Sequence, residues 1–221
     1  MAGVDDAAGA EQETGRARRV RVGRPPLTER RKETARLDIA RAAVELFAER
    51  GVEGVSASDI AESVSISTRT LWRYFPSKEE CVAPLLALGV QRLAKQLREW
   101  PTDKPLLEAL QRGDWLEAEG PDTARLVLDL MRLTRTEPGL QTVWMRQTFA
   151  AQPAVAEVLA GRAGRERPAM EDNVQAGMLL AAIHVAVRDF AWRQPGEADG
   201  GSTLADALRS ALAVAVRGLP L

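Results

Sequence analysis

From Thr28 onward, apolar residues recur three or four positions apart, and prolines or glycines interrupt them at intervals that suit helices. No stretch alternates apolar and polar residues over a useful length, so no β-sheet is expected. The pattern therefore predicts an all-α fold. With 221 residues, of which 45% are hydrophobic, the chain is long enough to bury a core as one large domain or as two small ones.

Between residues 27 and 76 the sequence predicts three short helices, the second and third joined by a tight turn. The first helix is expected to end at Gly51, because glycine commonly closes a helix. The second covers Ser56 to Ser63 and the third Ser67 to Tyr74, each opened by a serine that can accept a hydrogen bond from the first turn. This arrangement is typical of a helix-turn-helix protein that reads DNA.

The stretch 65–75, SISTRTLWRYF, would give the third helix two opposed faces. Ile66, Leu71 and Phe75 form an apolar face that can dock on the first two helices. The other face offers a guanidinium for paired hydrogen bonds to guanine, hydroxyls for base edges and aromatic groups for phosphates. For Trp72 or Tyr74 taken alone, a place in the core is an equally good interpretation. For the whole group of residues that interpretation is disfavoured, because the three helices, their caps, the turn and the basic bias all agree. The predicted DNA contacts are Thr68, Arg69, Thr70, Trp72 and Tyr74, with Lys78 as a phosphate contact at the mouth of the next helix.

Residues 1–26 have the composition of a disordered segment, acidic at first and then basic in RARRVRVGRPP. This segment is either a solvated tail or a basic arm that follows a phosphate backbone or enters a minor groove through Arg21 and Arg24. The whole chain carries a net charge of −1, but residues 16–78 hold 14 basic and 8 acidic side chains, a local charge of +6. A basic N-terminal third therefore precedes an acidic remainder.

The span from about Arg30 to Val82, with IARAAVELFAERGVEGVSASDIAESVSISTRTLWRYFPSKEECV at its centre, resembles the DNA-binding domain of tetracycline-repressor (TetR) family regulators. The resemblance rests on the FAERG end of helix one, the SASDIA entry to helix two and the TLWRYFPSKEE close. One departure is Ser65, where many members carry glycine in the turn.

That resemblance implies an all-helical homodimer with an N-terminal helix-turn-helix domain at 27–76, which a long helix joins to a C-terminal ligand-binding and dimerisation domain at 77–221. It also implies repression that a small molecule relieves. Matched by position, Ser56 and Ser58 take places that contact the DNA backbone. The DNA-facing places fall on Thr68, Arg69, Trp72, Tyr74 and Lys78.

Beyond Pro76 the sequence predicts a long helix that Ser77 and Glu80 open as a capping box and that ends near Trp100. Further helices are expected at 105–119, 121–136, 138–163 and 169–193, and from a cap at Ser202 to about residue 218, with a break or kink at Pro153. The order of these elements is similar to that of regulators whose C-terminal domain binds acyl-CoA-like ligands, the mycofactocin-regulator type. This likeness implies an acyl-CoA-like or other small hydrophobic effector.

Several large side chains of the C-terminal part could line an apolar cavity, although ordinary core is the alternative for each of them. His184, the single histidine, is expected to be a hydrogen-bonded core residue or a ligand contact, and one imidazole does not make a metal site. The last two helices have broad, Ala-rich faces that would form a dimer interface or intramolecular core. The pocket candidates are Trp115, Met131, Trp144, Met145, Phe149, Met178 and His184, and the interface candidates are Ile183, Phe190, Leu208 and Leu212.

The residue inventory favours a binding protein over an enzyme. One histidine and one cysteine, without HExxH, GxSxG or a Gly-rich phosphate loop, predict no catalytic site, no metal and no cofactor. Cys81 is expected to be a small thiol that is buried or half-buried. No apolar run approaches the roughly 20 residues that span a bilayer, and the N-terminus lacks a signal-peptide pattern, so a cytoplasmic protein without a membrane partner is expected.

The expected function is therefore that of a sequence-specific, DNA-binding transcriptional regulator. In its most specific form, it is a ligand-released repressor that binds a pseudopalindromic, double-stranded DNA operator as a homodimer. Two alternatives stay open: a ligand-responsive activator, and an architectural protein that binds DNA without sequence preference.

Overall fold

A computed structural model describes residues 27–112, 120–193 and 203–217, and within these ranges the chain is helical without a β-strand. The prediction of an all-α fold is confirmed. In chain order the elements are α1 (Leu27–Arg50), α2 (Ala57–Ser63), α3 (Thr68–Tyr74), a single 3₁₀ turn (Glu79–Val82), α4 (Ala83–Glu99), α5 (Leu106–Arg112), α6 (Pro121–Leu133), α7 (Pro138–Arg162), α8 (Met170–Trp192) and α9 (Leu204–Arg217).

The first three helices begin and end where the sequence predicts. Gly51 follows α1 with a φ of 72°, the left-handed conformation that glycine adopts without a steric cost. Ser56 caps α2: its Oγ accepts from the amide of Asp59 at 3.2 Å, while the Asp59 carboxylate accepts from the amide of Ser56 at 2.7 Å. Ser67 caps α3 by accepting from the amide of Thr70 at 3.2 Å. Local side-chain chemistry therefore determines these helix ends.

The entry to α4 differs from the prediction of one long helix from Ser77. The Ser77 Oγ does accept from the amide of Glu80 at 3.3 Å, but the next turn is 3₁₀ and the α-helix starts at Ala83. Pro84 has no N–H with which to bond the carbonyl of Glu80, and the amide of Ala83 takes that carbonyl instead. The missing donor explains the tighter turn.

Two further predictions need correction. A break at Pro153 is wrong, because α7 continues through this residue, and the alternative of a kink stays a prediction. The carbonyl that loses its partner there is that of Phe149, a residue 69% exposed, so water can take the place of the missing amide. Thr203 caps α9: its Oγ accepts from the amide of Asp206 at 3.2 Å, and Asp206 accepts from the amide of Thr203 at 2.7 Å. The predicted cap, Ser202, lies outside the described residues.

One continuous apolar core runs through the described helices. Phe47, Ile60 and Leu71 are fully buried where α1, α2 and α3 meet. In the C-terminal part α8 packs on α6, α7 and α9, and α4 packs on α7. α4 therefore connects the three-helix N-terminal part with the helices that surround α8.

α8 also corrects the expectation that no apolar run is long enough to cross a membrane. Its 23 residues pass that test by length and composition, and about a third of the tested stretch is buried. Length and composition are weak evidence, because a core helix of a soluble protein has the same properties. Here three neighbouring helices pack against α8.

Candidate nucleic-acid interface and effector cavities

In the turn between α2 and α3, Ser65 adopts the left-handed backbone conformation that glycine adopts more easily, although it is not a glycine. This serine has a φ of 55°, a conformation that favours glycine, and it is the single non-glycine residue with positive φ in the described ranges. Its amide bonds the carbonyl of Glu62 at 3.0 Å, and the amide of Ile66 bonds the carbonyl of Ala61 at 2.9 Å. This pair of bonds is a Schellman motif, which reverses the chain and directs α3 away from α2.

α3 has the two predicted faces. Leu71 and Phe75 are 0% and 2% exposed and pack into the core, and Ile66 is half-buried against it, so the apolar face is confirmed. On the opposite face Arg69 is exposed and Trp72 is 47% exposed. These two side chains are the most accessible of the predicted DNA contacts on α3.

The remaining α3 candidates are partly engaged within the protein. Thr68 is half-buried, and the Thr70 hydroxyl lies 2.9 Å from the hydroxyl of Ser67. Tyr74 is half-buried rather than fully outward, with its ring centroid 6.4 Å from that of Phe75. The Arg73 guanidinium lies 5.4 Å from the Tyr74 ring. DNA contacts by these residues stay predictions.

Three further candidates lie at helix starts, and their polar groups have partners. The Ser56 hydroxyl belongs to the cap of α2, and Ser58 Oγ donates to Glu62 Oε1 at 3.2 Å. Hydrogen bonds from the hydroxyl and then from the amide of Ser56 hold the pKa of Asp59 below its usual value. The Lys78 Nζ donates to the carbonyl oxygens of Val52 at 2.6 Å and Val55 at 2.9 Å. Lys78 therefore connects the start of the 3₁₀ turn to the α1–α2 connection, and its contact with a phosphate stays a prediction.

A basic residue that the sequence analysis missed lies beside α3. The Arg36 guanidinium is 5.0 Å from the centroid of the Phe75 ring, so the N-terminal half of α1 contributes positive charge next to the recognition helix. Its position one turn before the buried Ile39 was the available signal. Arg21 and Arg24 lie outside the described residues.

Two apolar cavities lie in the C-terminal part, on either side of a stacked aromatic pair. The rings of Trp144 and His184 are 3.9 Å apart, centroid to centroid. An outer cleft of about 210 Å³ lies between α7 and α8, and an inner cavity of about 70 Å³ lies between α4, α6, α7 and α8. Thr148, Leu180 and His184 line both. His184 therefore borders both spaces, whereas Trp144 borders only the inner one.

Most of the predicted pocket residues line one of these cavities. Met131 and Trp144 line the inner cavity, whereas Met145 and Phe149 line the outer cleft. Met178 lines neither cavity and is 43% exposed. Trp115 lies outside the described residues.

The sequence analysis predicted His184 as a pocket residue but missed two other polar residues of the lining, Thr148 and Gln152. Thr148 and Gln152 follow Trp144 at four-residue spacing on α7, which was a usable signal. Burial, assisted by the charge of Arg188, lowers the pKa of His184 below its usual value, so the imidazole is neutral at pH 7. The lining therefore offers a hydroxyl, an amide and a neutral imidazole among apolar side chains.

The predicted dimer residues divide into two groups. Leu208 and Leu212 are 0% exposed in the single chain, so their assignment to a dimer interface is wrong: both belong to the intramolecular core. Ile183 is 8% exposed and lines the inner cavity, and Phe190 is half-buried. Large apolar side chains that are exposed on α8 and α9 are Met170, Val174, Met178, Val185, Val214 and Val216.

Cys81 lies in the 3₁₀ turn and is fully buried. Burial, with the nearby charges of Glu79 and Glu80, raises the pKa of its thiol to about 12. The prediction of a small buried thiol is confirmed. No group of three or more His, Cys, Asp or Glu side chains within the described ranges could hold a metal ion.

Three helices with a Schellman turn before an exposed, Arg-bearing third helix define a helix-turn-helix DNA-binding protein. Residues 39–85 match the family model for bacterial regulatory proteins of the tetR family, and residues 114–220 match the MftR C-terminal domain. The transcriptional regulator TcmR of Streptomyces glaucescens is 30% identical over 188 residues, which cover 81% of this chain and 80% of TcmR. The chain therefore belongs to the TetR family of transcriptional regulators.

Two further comparisons agree. The transcriptional repressor AcnR of Corynebacterium diphtheriae is 26% identical over 171 residues, which cover 76% of this chain and 83% of AcnR. The crystal structure of Thermus thermophilus FadR, a TetR-family repressor in complex with lauroyl-CoA, superimposes with a TM-score of 0.53 at 28% identity. That match covers 84% of this chain and 95% of FadR. This protein is a DNA-binding transcriptional regulator whose relatives include named repressors.

Proposed function

We propose that the protein is a repressor that binds a pseudopalindromic operator as a homodimer and leaves it when a small hydrophobic molecule binds. Residues 27–76 form the DNA-binding domain, here called the reader, and residues 77–221 form the ligand-binding and dimerisation domain. One observation carries this proposal: the exposed face of α3 and the cavities around the Trp144–His184 stack are connected through the 3₁₀ turn and α4.

On DNA, each reader would insert α3 into the major groove. In a symmetric dimer the two α3 helices contact successive grooves, roughly 34–36 Å apart, which requires an operator with two related half-sites. Arg69 can read guanine through paired hydrogen bonds, and Trp72 can contact a phosphate or a thymine methyl. Arg21 and Arg24 would add contacts that follow the backbone, and Ser56, Ser58 and Lys78 would position the reader on phosphates.

The exposed apolar side chains of α8 and α9 support the dimer. Val174, Met178 and Val185 occupy one face of α8, with Val214 on the neighbouring α9. A face of this kind is costly to leave in water and is suited to close packing of two helix pairs. Because Leu208 and Leu212 are already buried, the interface would be built from these exposed residues instead.

The chemistry of the cavities supports an effector that is mainly apolar. Among the described residues, neither cavity is lined by lysine or arginine, so an alkyl chain or an uncharged ring system fits better than a phosphate. FadR of Thermus thermophilus was crystallised with lauroyl-CoA, and an acyl chain would suit two adjacent apolar spaces that share Thr148, Leu180 and His184 as lining residues. The nucleotide of such a ligand would stay outside.

Operator and effector are coupled in this mechanism. If the effector displaces α4, the separation of the two readers changes and the operator fits less well. Ligand and DNA must then weaken each other's binding by one common factor. The relatives are named transcriptional regulators, and we propose a cytoplasmic protein that acts without catalysis or a cofactor.

The first test is selection of duplexes from a random pool, followed by titration of the enriched sequence against a scrambled one. We expect a pseudopalindrome bound at least about a thousandfold more tightly than the scrambled duplex. Salt-sensitive binding to all duplexes without enrichment would instead favour the architectural alternative. An operator-linked reporter that loses expression when the gene is deleted would favour the activator.

The effector class is tested on the same operator complex. Lauroyl-CoA and 1-dodecanol carry chains of the same length, but 1-dodecanol lacks the nucleotide and the thioester. We expect both to release the protein from its operator, since the chain makes the contacts. Release by lauroyl-CoA alone would assign part of the affinity to the nucleotide, and release by neither would reject an acyl-chain effector.

A further inference from the structure

The 3₁₀ turn is attached to the reader on one side. Lys78, at its start, donates to the carbonyl oxygens of Val52 and Val55, at 2.6 and 2.9 Å. Both carbonyls belong to the connection between α1 and α2. An ammonium that bonds two carbonyls across more than twenty residues of sequence holds this connection and the turn in one arrangement. A displacement of the turn would therefore be passed to the reader.

On its other side the same turn is attached to α7. The Glu80 carboxylate accepts a hydrogen bond from the guanidinium of Arg146, a residue 66 positions later in the chain. The Glu80 side chain is 16% exposed and that of Arg146 is 53% exposed. Because the carboxylate is largely shielded from water, loss of its partner costs more than the loss of a fully exposed ion pair.

A second contact joins α7 to this turn. A Cβ added at Gly139 would lie 3.0 Å from Glu79 Cγ, so the first turn of α7 approaches the 3₁₀ turn closely. Gly139 and Arg146 are seven residues apart and therefore lie on the same face of α7. This face of α7 rests on the turn at two points.

The residues next to Arg146 line the cavities. Trp144 borders the inner cavity, Met145 the outer cleft, and Thr148 borders both. A ligand that filled either space would press on the segment of α7 that carries Arg146. The guanidinium would follow, because it is joined to that helix by a single side chain.

We infer that the ion pair between Arg146 and Glu80, here called the latch, fixes the orientation of the reader relative to the ligand-binding domain. Arg146 is then a positioning residue for operator binding. This inference rests on the proposed function. With the latch closed, the reader keeps the orientation that fits the operator. With the latch open, only a fraction of the molecules has that orientation at any time, and the apparent affinity falls by this fraction.

The test is a double-mutant cycle on operator affinity. Glu80→Gln removes the charge and keeps the shape, and Arg146→Met removes the charge and keeps most of the aliphatic stem. We expect each variant to bind the selected operator about fivefold more weakly, and the double variant to lose no more than either single one. Thermal unfolding of each variant shows that the protein is folded at the temperature of the titration.

Arg132→Met is the matched control. The Arg132 side chain is 57% exposed and pairs with Asp129 at 2.8 Å within α6, so its loss removes a comparable ion pair that does not contact the turn. Its operator affinity should equal that of the unmodified protein. Equal losses in the control, additive losses in the double variant, or binding within about twofold in both single variants would overturn the inference.

The outcomes also separate this inference from the proposed function. If the unmodified protein enriches no duplex, the proposed function fails. If it binds an enriched operator and all variants bind that operator equally well, the latch alone is refuted.

Discussion

The reader and the helices around the cavities are held in place by different means. In the reader, Ser56 and Ser67 cap their own helices with bonds to residues three positions away, and Gly51 ends α1. α6 and α7 start without a side-chain cap. A long-range contact holds the end of α7, where the Arg162 guanidinium donates to four backbone carbonyls of the α4–α5 connection, those of Trp100, Pro101, Thr102 and Lys104. Local caps thus specify the starts of α2 and α3, whereas α6 and α7 depend more on tertiary contacts. α8 is intermediate, because Asp172 accepts from the amide of Ala169 at 2.8 Å at the start of this helix.

The largest expected effect is on the free energy of unfolding. Here the reader and the C-terminal helices should respond alike, because both contribute to the core. Leu71→Ala in the reader and Leu208→Ala in α9 each remove a side chain that is 0% exposed. Each should lower the free energy of unfolding by about 2–5 kcal/mol, as measured by denaturant titration. Leu208→Met is the control and should cost less than about 1.5 kcal/mol. A Leu208→Ala variant that dissociates more readily but unfolds as before would return this residue to the dimer interface.

The next effect should appear in one region only. Arg69→Ala should weaken operator binding by about 1–3 kcal/mol at a preferred base pair, while unfolding stays unchanged. Arg125, exposed on α6, provides the control, and Arg125→Ala should bind the operator normally. Equal losses on operator and scrambled duplex would show that Arg69 contacts a phosphate instead of a base.

A smaller effect of opposite sign, a gain in stability, is expected at Ser65. At this position of the reader the residue type does not suit the backbone conformation. Glycine would relieve about 1–2 kcal/mol of strain at a φ of 55° but would add about 0.4–1 kcal/mol of unfolded-state freedom. Ser65→Gly should therefore stabilise the protein by up to about 1.6 kcal/mol in thermal or denaturant unfolding. Ser65→Ala retains a Cβ and should not stabilise. A destabilised glycine variant would mean that the Ser65 side chain makes a favourable contact that exceeds the strain.

The smallest effect belongs to the cavity region and depends on pH. The pKa of His184 is lowered by burial and then by Arg188, so the unfolded chain takes up a proton at higher pH than the folded one. Stability is therefore complete above the unfolded pKa of about 6.5 and is lost as the pH falls through the lower, folded pKa. We expect the melting temperature to drop between about pH 7.5 and 5.5, and to drop less in His184→Gln. An identical pH dependence in both proteins would contradict a buried, neutral imidazole.

The sequence predicted the reader better than the helices around the cavities, because the helix ends of the reader depend on local contacts. The ends of α2 and α3 were predictable because Ser56, Asp59 and Ser67 act within one turn of the chain. The buried face of α3 was predictable from the spacing of Leu71 and Phe75. Lys78 was assigned to phosphate alone, because a sequence does not show that two carbonyls of a distant turn lie within its reach.

The C-terminal part was predictable in outline and less so in detail. Helical spacing located α4 to α9, but it does not distinguish a residue that faces a neighbouring helix from one that faces a second chain, as Leu208 and Leu212 illustrate. The missing amide of Pro84 and the exposure of Phe149 opposite Pro153 act through three-dimensional surroundings. The positions of Met145 and Thr148 on two sides of a stacked pair depend on the packing of α7 against α8.

The buried thiol of Cys81 makes this chain convenient for distance measurements. With a pKa of about 12, almost none of it is thiolate at neutral pH, and the side chain is inaccessible to reagents. Maleimides and nitroxide labels should therefore not react with Cys81. Single cysteines introduced on the protein surface can then be labelled without first replacing Cys81. In the proposed dimer, a spin label on α3 of each subunit would then report the spacing of the two α3 helices directly, with and without a candidate effector.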